Sequence, residues 1–134
     1  MTLVGVFNAT EEAAAADKTI QVGTVTVFAT KSNGAAWDVG GGAPDIFVQI
    51  RVKKAFGSRK STSVKKNTYS ATFSQNTVKI RVGQAIEIKV WDKDFASDDI
   101  IGSATYVIDA ATFNRGSVTF RSFGRVRSMS ISLR

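Results

Sequence analysis

From Thr19 to Leu133 the apolar residues recur at every second position, and no amphipathic stripe of helical period lasts the roughly 11 residues that a helix needs. This alternation restricts the chain to sheet. In the run from Ile46 to Val52, the side chains of Ile46, Val48, Ile50 and Val52 share one face while Gln49 and Arg51 take the other. Ile86, Ile88 and Val90 alternate with Glu87 and Lys89; Val78, Ile80 and Val82 alternate with Lys79 and Arg81; Met129, Ile131 and Leu133 alternate with serines. Such strands, with one buried and one wet face, predict an antiparallel sandwich. Strands are expected near 19–30, 45–53, 61–68, 72–82, 85–92, 100–108, 117–122 and 126–133, with turn signals between them. The expected architecture is an all-β, eight-stranded Greek-key sandwich. One departure, Asp109 to Gly116, reads as a short helical turn closed by Gly116.

With 134 residues the chain is long enough for one core without disulfide or metal staples, and the sandwich is assigned to 19–134. Residues 1–18 read as an N-terminal arm: Leu3 to Phe7 is apolar, and Thr10 with Glu11 and Glu12 suits the start of a helical turn running into four alanines. No apolar stretch approaches the roughly 18 residues that span a bilayer, and the start lacks the features of a secretory signal, so a cytoplasmic or peripheral-membrane location is expected.

The chain contains neither cysteine nor histidine. Thiol chemistry, zinc-finger patterns and the commonest general base are thereby removed, and an enzymatic reading is disfavoured. The net charge of +7 points to polyanionic partners: anionic lipid head groups, an acidic protein surface or nucleic acid. Few aromatics interleave with the basic residues, which disfavours nucleic acid.

Six of the eight aspartates fall in two expected loops: Asp38 and Asp45 flank the first, and Asp92, Asp94, Asp98 and Asp99 crowd the second. Aspartate is a common turn residue, and that alone would account for scattered cases. Two clusters at one end of a sandwich instead need solvation, protons or a cation to relieve their repulsion. Calcium suits them, because it takes six to eight oxygen ligands with tolerant geometry.

The segment Trp37-Asp38-Val39-Gly40-Gly41-Gly42-Ala43-Pro44-Asp45-Ile46-Phe47-Val48 resembles the first calcium-binding loop of C2 domains. Val90-Trp91-Asp92-Lys93-Asp94 through Asp98-Asp99-Ile100-Ile101-Gly102 resembles the third loop, and Ser63 to Phe73 is similar to the family's basic strand and the turn after it. The likeness spans about 19–133. It departs in a first loop one residue longer, in Ile46 where the family has proline, and in a shortened turn at Ser70-Ala71-Thr72. The order of strands and loops looks like the type II permutation.

The resemblance implies a Ca2+ site formed by Asp38, Asp45, Asp92, Asp94 and Asp99, with Asp98 competing for the last place. It also implies an anion-binding patch of Lys53, Lys54, Arg59, Lys60, Lys65 and Lys66, expected on one hairpin, although lysines there can equally serve only to keep an edge strand from pairing. Val39 and Phe95 are the candidate membrane tips. A second basic group, Arg115, Arg121, Arg125, Arg127 and Arg134, fits an acidic protein partner. Two functions are therefore expected to compete: a calcium-binding module that docks onto an anionic phospholipid membrane or acidic partner, and an accessory subunit of a multi-protein assembly whose loops calcium merely stiffens.

Overall fold

The computed structural model describes residues 16–134 apart from Val39 and Ala55. The capped turn expected at Thr10, and most of the arm, lie outside the described residues. Strands β1 (Lys18–Val27), β2 (Ile46–Val52), β3 (Arg59–Ser61), β4 (Ser70–Ile80), β5 (Ala85–Asp92) and β6 (Asp99–Val107) are followed by helix α1 (Ala110–Arg115), β7 (Ser117–Phe123) and β8 (Val126–Leu133). They form two antiparallel four-stranded sheets, β4-β1-β8-β7 and β3-β2-β5-β6, which enclose the core. Within the described residues β1 runs straight into the first acidic loop and β8 closes the chain, the order on which the type II reading rests.

The period-two pattern decides which faces meet. Ile46, Val48, Ile50 and Val52 of β2 and Ile86, Ile88 and Val90 of β5 are buried against Ile20, Val22 and Val25 of β1 and Met129, Ile131 and Leu133 of β8. Each such side chain contributes about 1.5–3 kcal/mol on burial. This core needs no metal to hold it together. The expected helical turn is α1: Asp109 caps it by accepting the Thr112 N–H at 2.8 Å, and Gly116 ends it with φ of 82°.

One expected strand is largely absent. Instead of a continuous strand over 61–68, the edge is paired only at Arg59–Ser61, and the ladder resumes at an isolated bridge between Ile46 and Lys65. Three steps along β2, from Gln49 to Ile46, face four along the edge, from Ser61 to Lys65. The cause is Thr62, whose buried hydroxyl accepts the Val48 N–H at 3.0 Å while its own N–H donates to the Val48 carbonyl at 2.8 Å. A bulge of one residue follows. At Ile46 the departure from the family proline has a local effect, since its N–H donates to the Lys65 carbonyl at 2.8 Å, a bond proline cannot make.

Candidate metal centre

Register brings the two acidic loops to one pole. Ile46, at the start of β2, pairs with Asp92 at the end of β5, and Asp92 pairs in turn with Asp99 at the start of β6. The first loop is tied down by its backbone: the Asp45 N–H donates to Asp92 Oδ1 at 2.8 Å, and the Lys93 N–H donates to the Asp45 carbonyl at 2.8 Å. Asp45 Oδ1 accepts the Asn67 N–H at 2.7 Å, and Asn67 Oδ1 accepts the Ala43 N–H at 3.2 Å. Trp37 is buried beneath this loop and donates its Nε1–H to the Phe28 carbonyl at 2.9 Å, so it packs rather than facing lipid.

The result is a recess of about 520 Å³ lined by Asp38, Asp45, Asp94 and Asp99 together with Lys31, Trp37, Lys93 and Phe95. Carboxylate oxygens of Asp38, Asp92 and Asp94 lie within 4.8 Å of one another. Asp92 is fully buried, and its Oδ2 has no hydrogen-bond partner among the described residues. Asp98 is used differently. Its Oδ1 accepts the Asp94 N–H at 3.1 Å and its Oδ2 lies 3.7 Å from the Lys93 ammonium, so it closes the turn and does not line the recess.

Burial raises Asp92 to about 7, against the hydrogen bond from Asp45 and with help from the charges of Asp94, Asp38 and Asp45. Burial, and then the hydrogen-bonded Asp99 carboxylate, also holds Asp94 above the ordinary range. Asp99 moves the other way because the Lys31 ammonium is hydrogen-bonded to it. A buried carboxylate with one oxygen unpartnered among the described residues, close to two further carboxylates, needs a proton or a cation. The donor set is entirely oxygen, which suits a hard divalent ion and fits calcium better than a transition metal.

The other expected site residues are dispersed. Lys53 and Lys54 follow β2 at the pole away from the aspartates, Arg59 and Lys60 lie on β3, and Lys65 and Lys66 return to the acidic pole. The seven residues of β2 separate the ends by about 20 Å, so the basic residues form a ribbon along the β3 edge rather than a compact patch. The second basic group is likewise no single surface. Arg125 and Arg127 stand over the Phe28 ring at 4.6 and 5.3 Å near the acidic pole, whereas Arg115 ends α1 at the other end of β7, with Arg134 just beyond the end of β8. A full strand lies between the two sets because the β7–β8 turn falls at the acidic pole. Phe95 is fully exposed at the rim of the recess; Val39 lies outside the described residues. Reasoning from sequence overlooked Lys31 and Asn67, which join the acidic loops from outside the aspartate clusters.

A family model described as the C2 domain matches residues 22–122. No curated protein matches the chain. Among solved structures, human GIVD cytosolic phospholipase A2, in complex with a fluorophosphonate inhibitor and terbium chloride, is similar with a TM-score of 0.66 and 16% identity. That match covers 87% of this chain and 17% of the phospholipase. A C2 domain of plant Extended Synaptotagmin 1 is similar with a TM-score of 0.64 and 15% identity, covering 88% of this chain and 93% of that one. The calcium-bound pair of C2 domains of Extended-Synaptotagmin 2 has a TM-score of 0.55 and 19% identity, covering 87% and 45%. At these identities the structural likeness shows the fold, and with the family match over most of its length the chain belongs to the C2 domain family.

Proposed function

We propose that the domain is a calcium-dependent docking module for anionic membranes. The observation that carries this reading is the convergence of carboxylate oxygens of Asp38, Asp92 and Asp94 within 4.8 Å of one another, at a buried Asp92 whose Oδ2 has no hydrogen-bond partner among the described residues. Two similar structures are described with calcium or with terbium, also a hard cation that favours oxygen ligands. Asp38, Asp92 and Asp94 hold the ion, and Asp45 and Asp99 line the same recess within reach of further ligation. A bound calcium ion supplies two positive charges to this pole. The residues around it are suited to a lipid surface: Phe95 presents an exposed ring at the rim, and Lys65 and Lys66 lie on the edge beside Ile46. Each basic residue close to an anionic bilayer contributes about 1 kcal/mol. Among the described residues no helix is long and apolar enough to cross a membrane.

Sedimentation with vesicles of phosphatidylserine and phosphatidylcholine, with calcium and with chelator, tests this reading. Pelleting in calcium that chelator reverses and high salt weakens is expected. Equal pelleting with and without calcium contradicts it.

A further inference from the structure

Lys31 enters the acidic recess from the first loop, and its Nζ lies 2.9 Å from Asp99 Oδ2. The ammonium also stands 6.0 Å from the centre of the buried Trp37 ring. The backbone around it is held from both sides: the Lys31 N–H donates to the Ala35 carbonyl at 2.8 Å, and Arg125 Nε donates to the preceding Thr30 carbonyl at 2.8 Å. Lys31 is therefore delivered to the aspartates by an anchored segment. The charges of Asp94 and Asp92 reach the same ammonium.

We propose that Lys31 is a tethered counter-cation of the recess, which withdraws from Asp99 before that carboxylate can join Asp38, Asp92 and Asp94 around a divalent ion. Lys31 thereby sets the calcium concentration at which the domain responds. This inference rests on the calcium reading above. The chemistry of the side chain fits the role: an ammonium is a compact, strongly hydrated charge on a flexible stem, able to leave for water without disturbing the fold. Both partners are partly open to solvent, Lys31 at 32% and Asp99 at 42%, so the path out is free and the pair is weak. A weak competitor raises the threshold for binding without closing the site. The Lys31–Asp99 ion pair also offsets part of the crowded carboxylate charge in the absence of metal.

The test is calorimetric titration of calcium into the chelator-treated full chain, comparing wild type, Lys31→Met and Lys31→Arg, with thermal midpoints of each recorded in chelator. Met keeps an unbranched apolar side chain and removes the charge; Arg keeps the charge. Lys31→Met is expected to bind calcium about two- to fivefold more tightly than wild type and to melt at a lower temperature in chelator, while Lys31→Arg stays close to wild type in both. If wild type binds calcium and Lys31→Met binds no more tightly, the counter-cation role is overturned and the calcium reading stands. If none of the three binds calcium up to millimolar concentration, both fall together.

Discussion

Asp92 Oδ1 accepts the backbone N–H of Asp45 at 2.8 Å, so the fully buried carboxylate of the aspartate cluster also ties the end of β5 to the end of the first loop. The other oxygen, Oδ2, has no hydrogen-bond partner among the described residues. The two oxygens thus have separate duties, and substitutions separate them. Asp92→Asn keeps an acceptor for the Asp45 N–H and replaces the carboxylate beside Asp38 and Asp94 with a neutral amide. It is expected to melt no lower than wild type in chelator while losing calcium binding. Asp92→Ala leaves the Asp45 N–H unpaired and is expected to cost about 1–3 kcal/mol in urea denaturation at pH 6.

Stability without metal should fall as pH rises through the acid and neutral range. Asp92 releases its proton near pH 7 in the folded chain, against about 3.8 in the unfolded one. Between those values the folded state holds a proton that the unfolded state has already lost, which favours folding at the acid side of the window. Asp94, also raised, acts with the same sign. Asp99 is lowered, so its contribution is lost only at more acid pH, as its folded form becomes protonated. Thermal midpoints in chelator from pH 5 to 8 are expected to decline, with a shallower decline in Asp92→Asn. Saturating calcium, which keeps Asp92 ionised, removes the slope. A midpoint that rises over this range contradicts the assignment.

The glycine that ends the run Asp99-Ile100-Ile101-Gly102 has a physical reason. A Cβ there would stand 2.5 Å from the Phe123 carbonyl oxygen and 3.0 Å from Val126 Cγ2, because the β7–β8 turn lies directly on β6. The contact is fastened by the Arg125 N–H, which donates to the Ile101 carbonyl at 2.8 Å. Gly102→Ala must push the two strands apart and is expected to cost about 1–3 kcal/mol by urea denaturation. Calcium affinity should change little if the displacement is confined to that side of the recess.

Two phenylalanines offer a matched comparison for membrane contact. Phe95 at the acidic rim and Phe56 in the β2–β3 connection at the other pole are both almost completely exposed. Neither supports the core, so Phe95→Ala and Phe56→Ala should melt like wild type. Burying a phenylalanine in lipid is worth about 1.5–3 kcal/mol. Phe95→Ala is therefore expected to lose about tenfold or more in calcium-dependent vesicle affinity, with calcium binding in solution unchanged, and Phe56→Ala to lose none. Equal losses in both would place the docking surface elsewhere.

The parts of this molecule that were legible in its sequence are those governed by local rules. Alternation at Ile46, Val48, Ile50 and Val52 reports which face of a strand is buried, and the structure buries those four. The capped turn at Asp109 and Gly116 is legible for the same reason, since its signals lie within eight residues. The convergence of Asp38 with Asp92 and Asp94 follows once the sandwich is assumed, because the loops between alternate strands meet at one pole. The features that escaped depend on a single side chain meeting a distant partner. Thr62 replaces a backbone ladder bond to Val48 and thereby shortens the edge strand, and nothing in its neighbourhood announces it. Lys31 is separated from Asp99 by 68 positions, and a lone lysine between uncharged residues carries no local signal of an ion pair. The arginines failed as a group because spacing along the chain does not say at which pole each falls.

The central claim is that Asp38, Asp92 and Asp94 form a calcium site, and calorimetric titration of calcium into chelator-treated wild type and Asp92→Asn/Asp94→Asn tests it most directly. Saturable binding by wild type that is absent from the double variant, with both chains folded by circular dichroism, is the expected result. No heat from wild type up to millimolar calcium, or the same isotherm from both chains, contradicts the account.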